Sequence, residues 1–222
     1  MKRSKAVEVA GISGLAAWTV FGLLTMAVIG YGDTPLSVDN GVLNWSVDHR
    51  PDAVVTFAKA LTATGSYLVA YPLVVLAGII AGSSTRQRAI AILLGVACLG
   101  AGQALRYGFM TLVARPRPSG EYWMTSASGW AFPSGHTTTA TLTAGLLIVA
   151  VCRHPRRGRA LLALVIGAWG ATVGLTRCYL GVHWFTDVFG GWMFALGWLG
   201  LWLGALAMWL PARWTPGTTD PS

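Results

Sequence analysis

Charge is scarce in this chain. Lys, Arg, Asp and Glu together make up 11% of 222 residues, with eight acids against sixteen bases. With 54% hydrophobic residues and eleven tryptophans, that shortage excludes a typical soluble domain. Cysteine is limited to Cys98, Cys152 and Cys178, with no CxxC spacing, and these read as small apolar packing residues. The chain has no low-complexity domain and no cluster of carboxylates to bind Mg²⁺. A short polar tail, Thr215 to Ser222, is expected to be disordered after a single domain over residues 1–214.

Long apolar runs are what the chain has instead. They fall at roughly residues 9–30, 66–82, 89–112, 135–152, 160–177 and 184–210, each near the ~17 to 25 residues a bilayer helix needs. The expected fold is all-α: an integral membrane bundle of six transmembrane helices. Between the first two runs, Val38, Val42, Trp45, Val54, Phe57 and Leu61 recur among polar residues over Tyr31 to Thr64. That pattern suits an interfacial helical segment. The basic run Lys2-Arg3-Ser4-Lys5 resembles a secretory signal, but the apolar part is long and no small-x-small cleavage site precedes Gly32-Asp33. It reads as an uncleaved first helix.

Six crossings put both termini on one side. Lys2, Arg3 and Lys5, then Arg86 and Arg88, then Arg153, Arg156, Arg157 and Arg159, then Arg213 all fall on that side. The positive-inside rule makes it cytoplasmic. The net charge of +8 is therefore mostly an orientation signal, and no nucleic-acid partner is expected.

Three clusters then emerge together on the opposite side. Pro133-Ser134-Gly135-His136 opens a helix, with Ser134 as a candidate N-cap. The N–H groups of a first helical turn and the helix dipole favour an anion there. Gly135 permits close backbone approach, and His136 is placed to move a proton. His183 and Asp187, spaced i and i+4, set a carboxylate beside an imidazole. A carboxylate on one ring nitrogen fixes the tautomer and makes the other nitrogen a better nucleophile. Asp187 is also the only acid between Glu121 and Asp220, and an acid so close to an apolar core marks a functional site. Arg115, Arg117 and Arg177 supply planar, permanently charged donors for phosphoryl oxygens. Prolines 116 and 118 keep their loop extended and stiff.

These residues resemble the motifs of the membrane-bound type 2 phosphatidic acid phosphatases, which share a site with vanadium haloperoxidases. That family's pattern is a lysine, six residues and Arg-Pro; then Pro-Ser-Gly-His; then Ser-Arg, five residues, His, three residues and Asp. The second element is intact as Pro133 to His136, and the third keeps its spacing in Arg177, His183 and Asp187, with Thr176 replacing the serine. Arg117-Pro118 fits the first element, but Met110 stands where the lysine belongs. Arg106, four residues earlier and about one turn deeper, is either its substitute or a buried structural arginine.

The resemblance implies a metal-independent phosphatase without a cofactor that works through a phosphohistidine. His183 attacks phosphorus with Asp187 orienting it, and His136 protonates the leaving oxygen and then activates water. Arg115, Arg117 and Arg177, with Ser134 and the Gly135 N–H, hold the non-bridging oxygens. The implied partner is a lipid phosphate or diphosphate within the bilayer. Similar small bacterial members act on polyprenyl diphosphate, phosphatidylglycerol phosphate or phosphatidic acid, of which carrier recycling favours the first. The expected location is the bacterial inner membrane, with the site on the periplasmic or extracellular face. A phosphotransferase using the same His183 intermediate, and an inactive lipid transporter suggested by the missing lysine, are the alternatives.

Overall fold

The computed structural model describes residues 3–154 and 157–209. The tail from Thr215, the bases Lys2, Arg156 and Arg213, and the domain end at 214 lie outside them. The described residues form α1 (Arg3–Tyr31), α2 (Ser37–Asp48), α3 (Asp52–Ala63), α4 (Tyr67–Ala81), α5 (Thr85–Val113), α6 (Gly135–Cys152), α7 (Arg159–Tyr179) and α8 (Phe185–Trp209), with one 3₁₀ turn at Gly120–Tyr122. No strand occurs among them.

The all-α membrane bundle foreseen from the sequence is the architecture found. Five helices are long and apolar enough to cross a bilayer: α1 from Glu8, then α5, α6, α7 and α8. α3 and α4 together are also long and apolar enough, as a pair bent by 55° at their junction, which makes six if the pair is one span. At 15 residues, α4 alone reaches only about 22 Å of the ~30 Å hydrocarbon layer.

The interfacial segment divides accordingly. α2 packs across the ends of α7 and α8, whereas α3 runs down beside α7. Val55 and Ala58 bury against Leu180, and the Trp169 indole N–H donates to the Thr64 hydroxyl at 2.9 Å. The chain then breaks at Gly65, where a side chain would collide with Val173. Periodicity alone cannot distinguish a helix lying on the interface from one that dips along a neighbour.

Antiparallel packing places the remaining ends. The most extensive helix pair is α1 with α8. Gly14 meets Gly200 so closely that a Cβ built on Gly200 would stand 2.5 Å from the Gly14 Cα. Close approach of small residues is how helices associate where lipid competes for every apolar surface. Higher along the same pair, Trp18, Phe21, Phe109, Phe132 and Phe194 form an aromatic cluster with edge-on and stacked contacts. At the basic end, His154 after α6 reaches the Ile80 carbonyl of α4. The opposite end gathers the α5 C-terminus, the α6 N-terminus and the α7–α8 turn.

Candidate active site

Two chain reversals build the site. α5 ends at Ala114, whose left-handed backbone (φ 47°) turns Arg115 back toward the bundle. The Arg115 carbonyl then accepts the Ala131 N–H, which closes the loop beneath the start of α6. The second reversal, between α7 and α8, passes through Gly181 (φ 71°), where a side chain would strike the Tyr122 carbonyl. The Ser134 N–H donates to the Asp187 carbonyl at 3.0 Å, joining the α6 and α8 N-termini. Indole N–H groups secure the stiff loop: Trp184 to the Pro116 carbonyl and Trp123 to the Pro118 carbonyl, each at 2.9 Å.

A cavity of about 800 Å³ opens at this end. Its wall brings together Arg106, Arg117, Gly135, His136, Arg177 and His183, with Gln103 and Thr139 deeper and Tyr67 and Tyr107 at its side. Six of the nine residues singled out in the sequence thus share one space, although they come from α5, α6, α7 and two loops.

His183 is 3% exposed, and its Nδ1 lies 3.2 Å from Asp187 Oδ2. A carboxylate accepts, so Nδ1 carries the hydrogen and Nε2 the lone pair. Asp187 is fully buried, and its acceptors are occupied: Oδ2 also takes the Trp184 N–H at 2.9 Å, and Oδ1 takes Arg115 Nη1 at 2.6 Å. The carboxylate therefore has one orientation, and so does the imidazole. Burial lowers the His183 pKa well below the ordinary histidine value, and Arg117, Arg177, His136 and Arg106 lower it further. That shift favours the neutral ring, the form in which Nε2 keeps its lone pair.

Around this ring the arginines differ. Arg117 Nη1 lies 2.8 Å from His183 Nε2 and 2.7 Å from the Val182 carbonyl. Its other nitrogens donate to the carbonyls of Ser128, Gly129 and Trp130. Arg177 reaches the Thr62 hydroxyl from Nη1 at 3.2 Å, while its buried Nε has no hydrogen-bond partner in the protein. Arg106 is steadied by Gln103 Oε1 at 3.0 Å and stretches up to the Met110 sulfur at 3.3 Å. Its guanidinium thus comes alongside the position the motif lysine would occupy. It also covers Gly135, where a Cβ would lie 3.4 Å from Arg106 Nη1.

Two residues expected on phosphate lie elsewhere. Arg115, 4% exposed, is not in the cavity wall; it bridges Asp187 and Asp39, the latter at 2.7 Å from Nη2, beside the Trp184 ring. Two buried carboxylates hold its charge inward, away from any ligand. Ser134 is fully buried too. It occupies the N-cap position of α6 without a side-chain capping bond, and its hydroxyl accepts from Thr137 Oγ1 at 2.9 Å. Thr176, in the family serine's place, donates to the Val173 carbonyl at 2.6 Å. Sequence reasoning missed Asp39, Thr186 and Gln103. Asp39 carried one local signal, as an acid in the first turn of α2 whose Oδ2 accepts the Leu36 N–H three residues back.

Fold and site together define a membrane-embedded enzyme that handles phosphate. A profile described as the PAP2 superfamily matches residues 16–213, and the chain belongs to that superfamily of membrane lipid phosphatases. Phosphatidylglycerophosphatase B of Bacillus subtilis strain 168 is 27% identical over 164 residues, spanning 72% of this chain and 78% of that protein. The fold is shared with a solved transmembrane PAP2-type phosphatidylglycerolphosphate phosphatase from Bacillus subtilis: TM-score 0.78, 23% identity, 87% of this chain and 95% of that one. Aquifex aeolicus LpxE is more distant, at TM-score 0.59 and 20% identity over 78% of this chain and 96% of that one.

Proposed function

We propose that this protein hydrolyses a lipid phosphate or diphosphate at the outer face of a bacterial inner membrane through a phosphohistidine on His183. The observation that carries the reading is the His183 ring: neutral, fixed through Nδ1 on Asp187, with Nε2 in a cavity shared by His136 and three guanidiniums.

In the first step the Nε2 lone pair attacks phosphorus in line with the leaving oxygen. An N–P bond forms, the P–O bond breaks, and His136 gives its proton to the departing lipid oxygen. In the second step His136 takes a proton from water, whose oxygen attacks phosphorus. The N–P bond breaks, freeing inorganic phosphate and the neutral imidazole. Arg106, Arg117, Arg177 and the first-turn N–H groups at Gly135 hold the three equatorial oxygens. Arg117 must exchange its bond with Nε2 for a phosphoryl oxygen when substrate enters. The placement of the basic loops away from this end supports an outward-facing site. A substrate reaching a cavity at helix ends carries its phosphate on a membrane anchor. The two Bacillus subtilis relatives are phosphatidylglycerol phosphate phosphatases by name, while recycling of a polyprenyl diphosphate carrier also requires an outward-facing phosphatase.

Phosphate release from polyprenyl diphosphate, phosphatidylglycerol phosphate and phosphatidic acid, with EDTA present, tests the reading. Wild type is expected to release phosphate from at least one, His183→Ala from none, and vanadate to inhibit as a five-coordinate mimic. Equal release by both proteins, or loss of release on adding EDTA, contradicts it.

A further inference from the structure

The mechanism uses Asp187 and leaves a second buried carboxylate without a role. Asp39 sits in the first turn of α2 with no exposed surface. Its Oδ1 accepts the Thr186 N–H at 2.8 Å, and both oxygens lie within 2.9 Å of the Thr186 hydroxyl. Its Oδ2 accepts Arg115 Nη2 at 2.7 Å, while the other end of that guanidinium donates to Asp187 Oδ1 at 2.6 Å and to Thr186 Oγ1 at 2.7 Å. Asp187 in turn holds His183. An unbroken chain of charge-assisted bonds thus runs from α2 to the nucleophile.

We propose that Asp39 is a positioning residue for the reaction, acting on His183 through Arg115 and Asp187. It rests on the reading of His183 as nucleophile. Two carboxylates divide one guanidinium's charge. Without Asp39, Arg115 would spend its full charge on Asp187, weakening the hold of that carboxylate on the Nδ1 hydrogen and disfavouring the positive charge that builds on the imidazole as the N–P bond forms. The Thr186 hydroxyl and N–H fix where Asp39 sits, so the fork of Arg115 has one orientation. Anchoring α2 does not by itself require such a group, because buried ion pairs add little net stability over apolar packing.

The test compares wild type, Asp39→Asn and, on the same helix, the exposed Asp48→Asn in the full-length protein in detergent, with the probe being whichever of polyprenyl diphosphate, phosphatidylglycerol phosphate and phosphatidic acid wild type hydrolyses fastest. Asp39→Asn keeps the shape and removes the charge. Its kcat is expected to fall about 10- to 100-fold, the scale of a small misplacement of a reacting group, with KM within about twofold and Asp48→Asn unchanged. The acid limb of kcat/KM moves to lower pH. The charged and titratable groups around His183 are Asp187, Arg115, Arg117, Arg177, His136, Arg106 and Asp39, and losing a negative one lowers the ring's proton affinity. An unchanged kcat, or a fall in kcat with an unmoved acid limb, overturns the proposal. If Asp39→Asn does not fold, Arg115→Lys decides: it keeps the charge but lacks the fork that spans both carboxylates, so kcat must fall at constant KM, and wild-type kcat overturns the role. A wild type that releases no phosphate from any lipid overturns the parent reading and this proposal with it.

Discussion

Each arginine near the site is defined by what occupies its donors. Arg115 is saturated by carboxylates, Arg117 by carbonyls and Nε2, and Arg106 and Arg177 retain donors toward the cavity. The consequences of mutation differ accordingly. Arg106→Ala should fold normally yet lose ~10² to 10³ in kcat, the effect of removing one preorganised donor from a transition-state oxyanion; activity in detergent beside a thermal melt checks both halves. Arg115→Ala should instead lose stability, by about 3 to 5 kcal/mol, because it strands two buried carboxylates; a melting temperature equal to wild type contradicts that account.

The pH dependence also belongs to the residue scale. The folded pKa of His183 lies below its ordinary 6.5, so the neutral ring persists under that value. Below pH 6.5 the unfolded chain binds a proton that the native ring declines, so this residue's contribution to stability falls as pH falls through that region. For catalysis the same shift places the nucleophile's acid limb under pH 6.5, which a kcat/KM profile on a lipid phosphate measures. An acid limb from His183 at or above 6.5 would mean that the ring is more exposed than its burial implies. The motif residues were legible in sequence because each lies within a short, spaced cluster. Asp39 was not, because it meets Thr186 across 147 residues and only the closed bundle brings them together.

Helices carry the site to its place, and most of their extents follow from apolar length. The runs at 89–112 and 135–152 correspond closely to α5 and α6, since a bilayer-spanning helix is set by hydrophobic length. The junction of α3 and α4 was illegible because both halves are apolar and the bend comes from tertiary contact at Gly65 and Val173. That bend brings Thr62 to Arg177 and Gly65 to the cavity wall. Packing of α1 on α8 gives the element scale its own test. Gly200→Val forces branched carbon into the Gly14 backbone and should cost about 1 to 3 kcal/mol as overpacking. A lowered melting temperature with an unaltered KM is the expected result, because the contact lies far from the cavity.

For the whole molecule, function follows from polarity along the bundle axis. One end collects Arg86, Arg88, Arg153, Arg157 and Arg159, and the other opens into the cavity lined by Arg106, Arg117 and Arg177 among helix ends. Such a site takes substrates that the bilayer itself delivers. The helical membrane plan and the gathering of the motif clusters at one end were both readable, because hydropathy and loop charge are properties of composition. The inward turn of Arg115 and Ser134 was not, because a motif states which residues gather and not which of them face the ligand.

The central claim is that phosphorus becomes bonded to His183 during turnover. Acid-labile, base-stable label should therefore accumulate on His183 when His136→Ala is quenched during reaction with a ³²P-labelled lipid phosphate, and its turnover should be slower by ~10² to 10⁴ than wild type. Phosphate release at the wild-type rate with no label on His183, or label that persists in His183→Ala, would contradict the account.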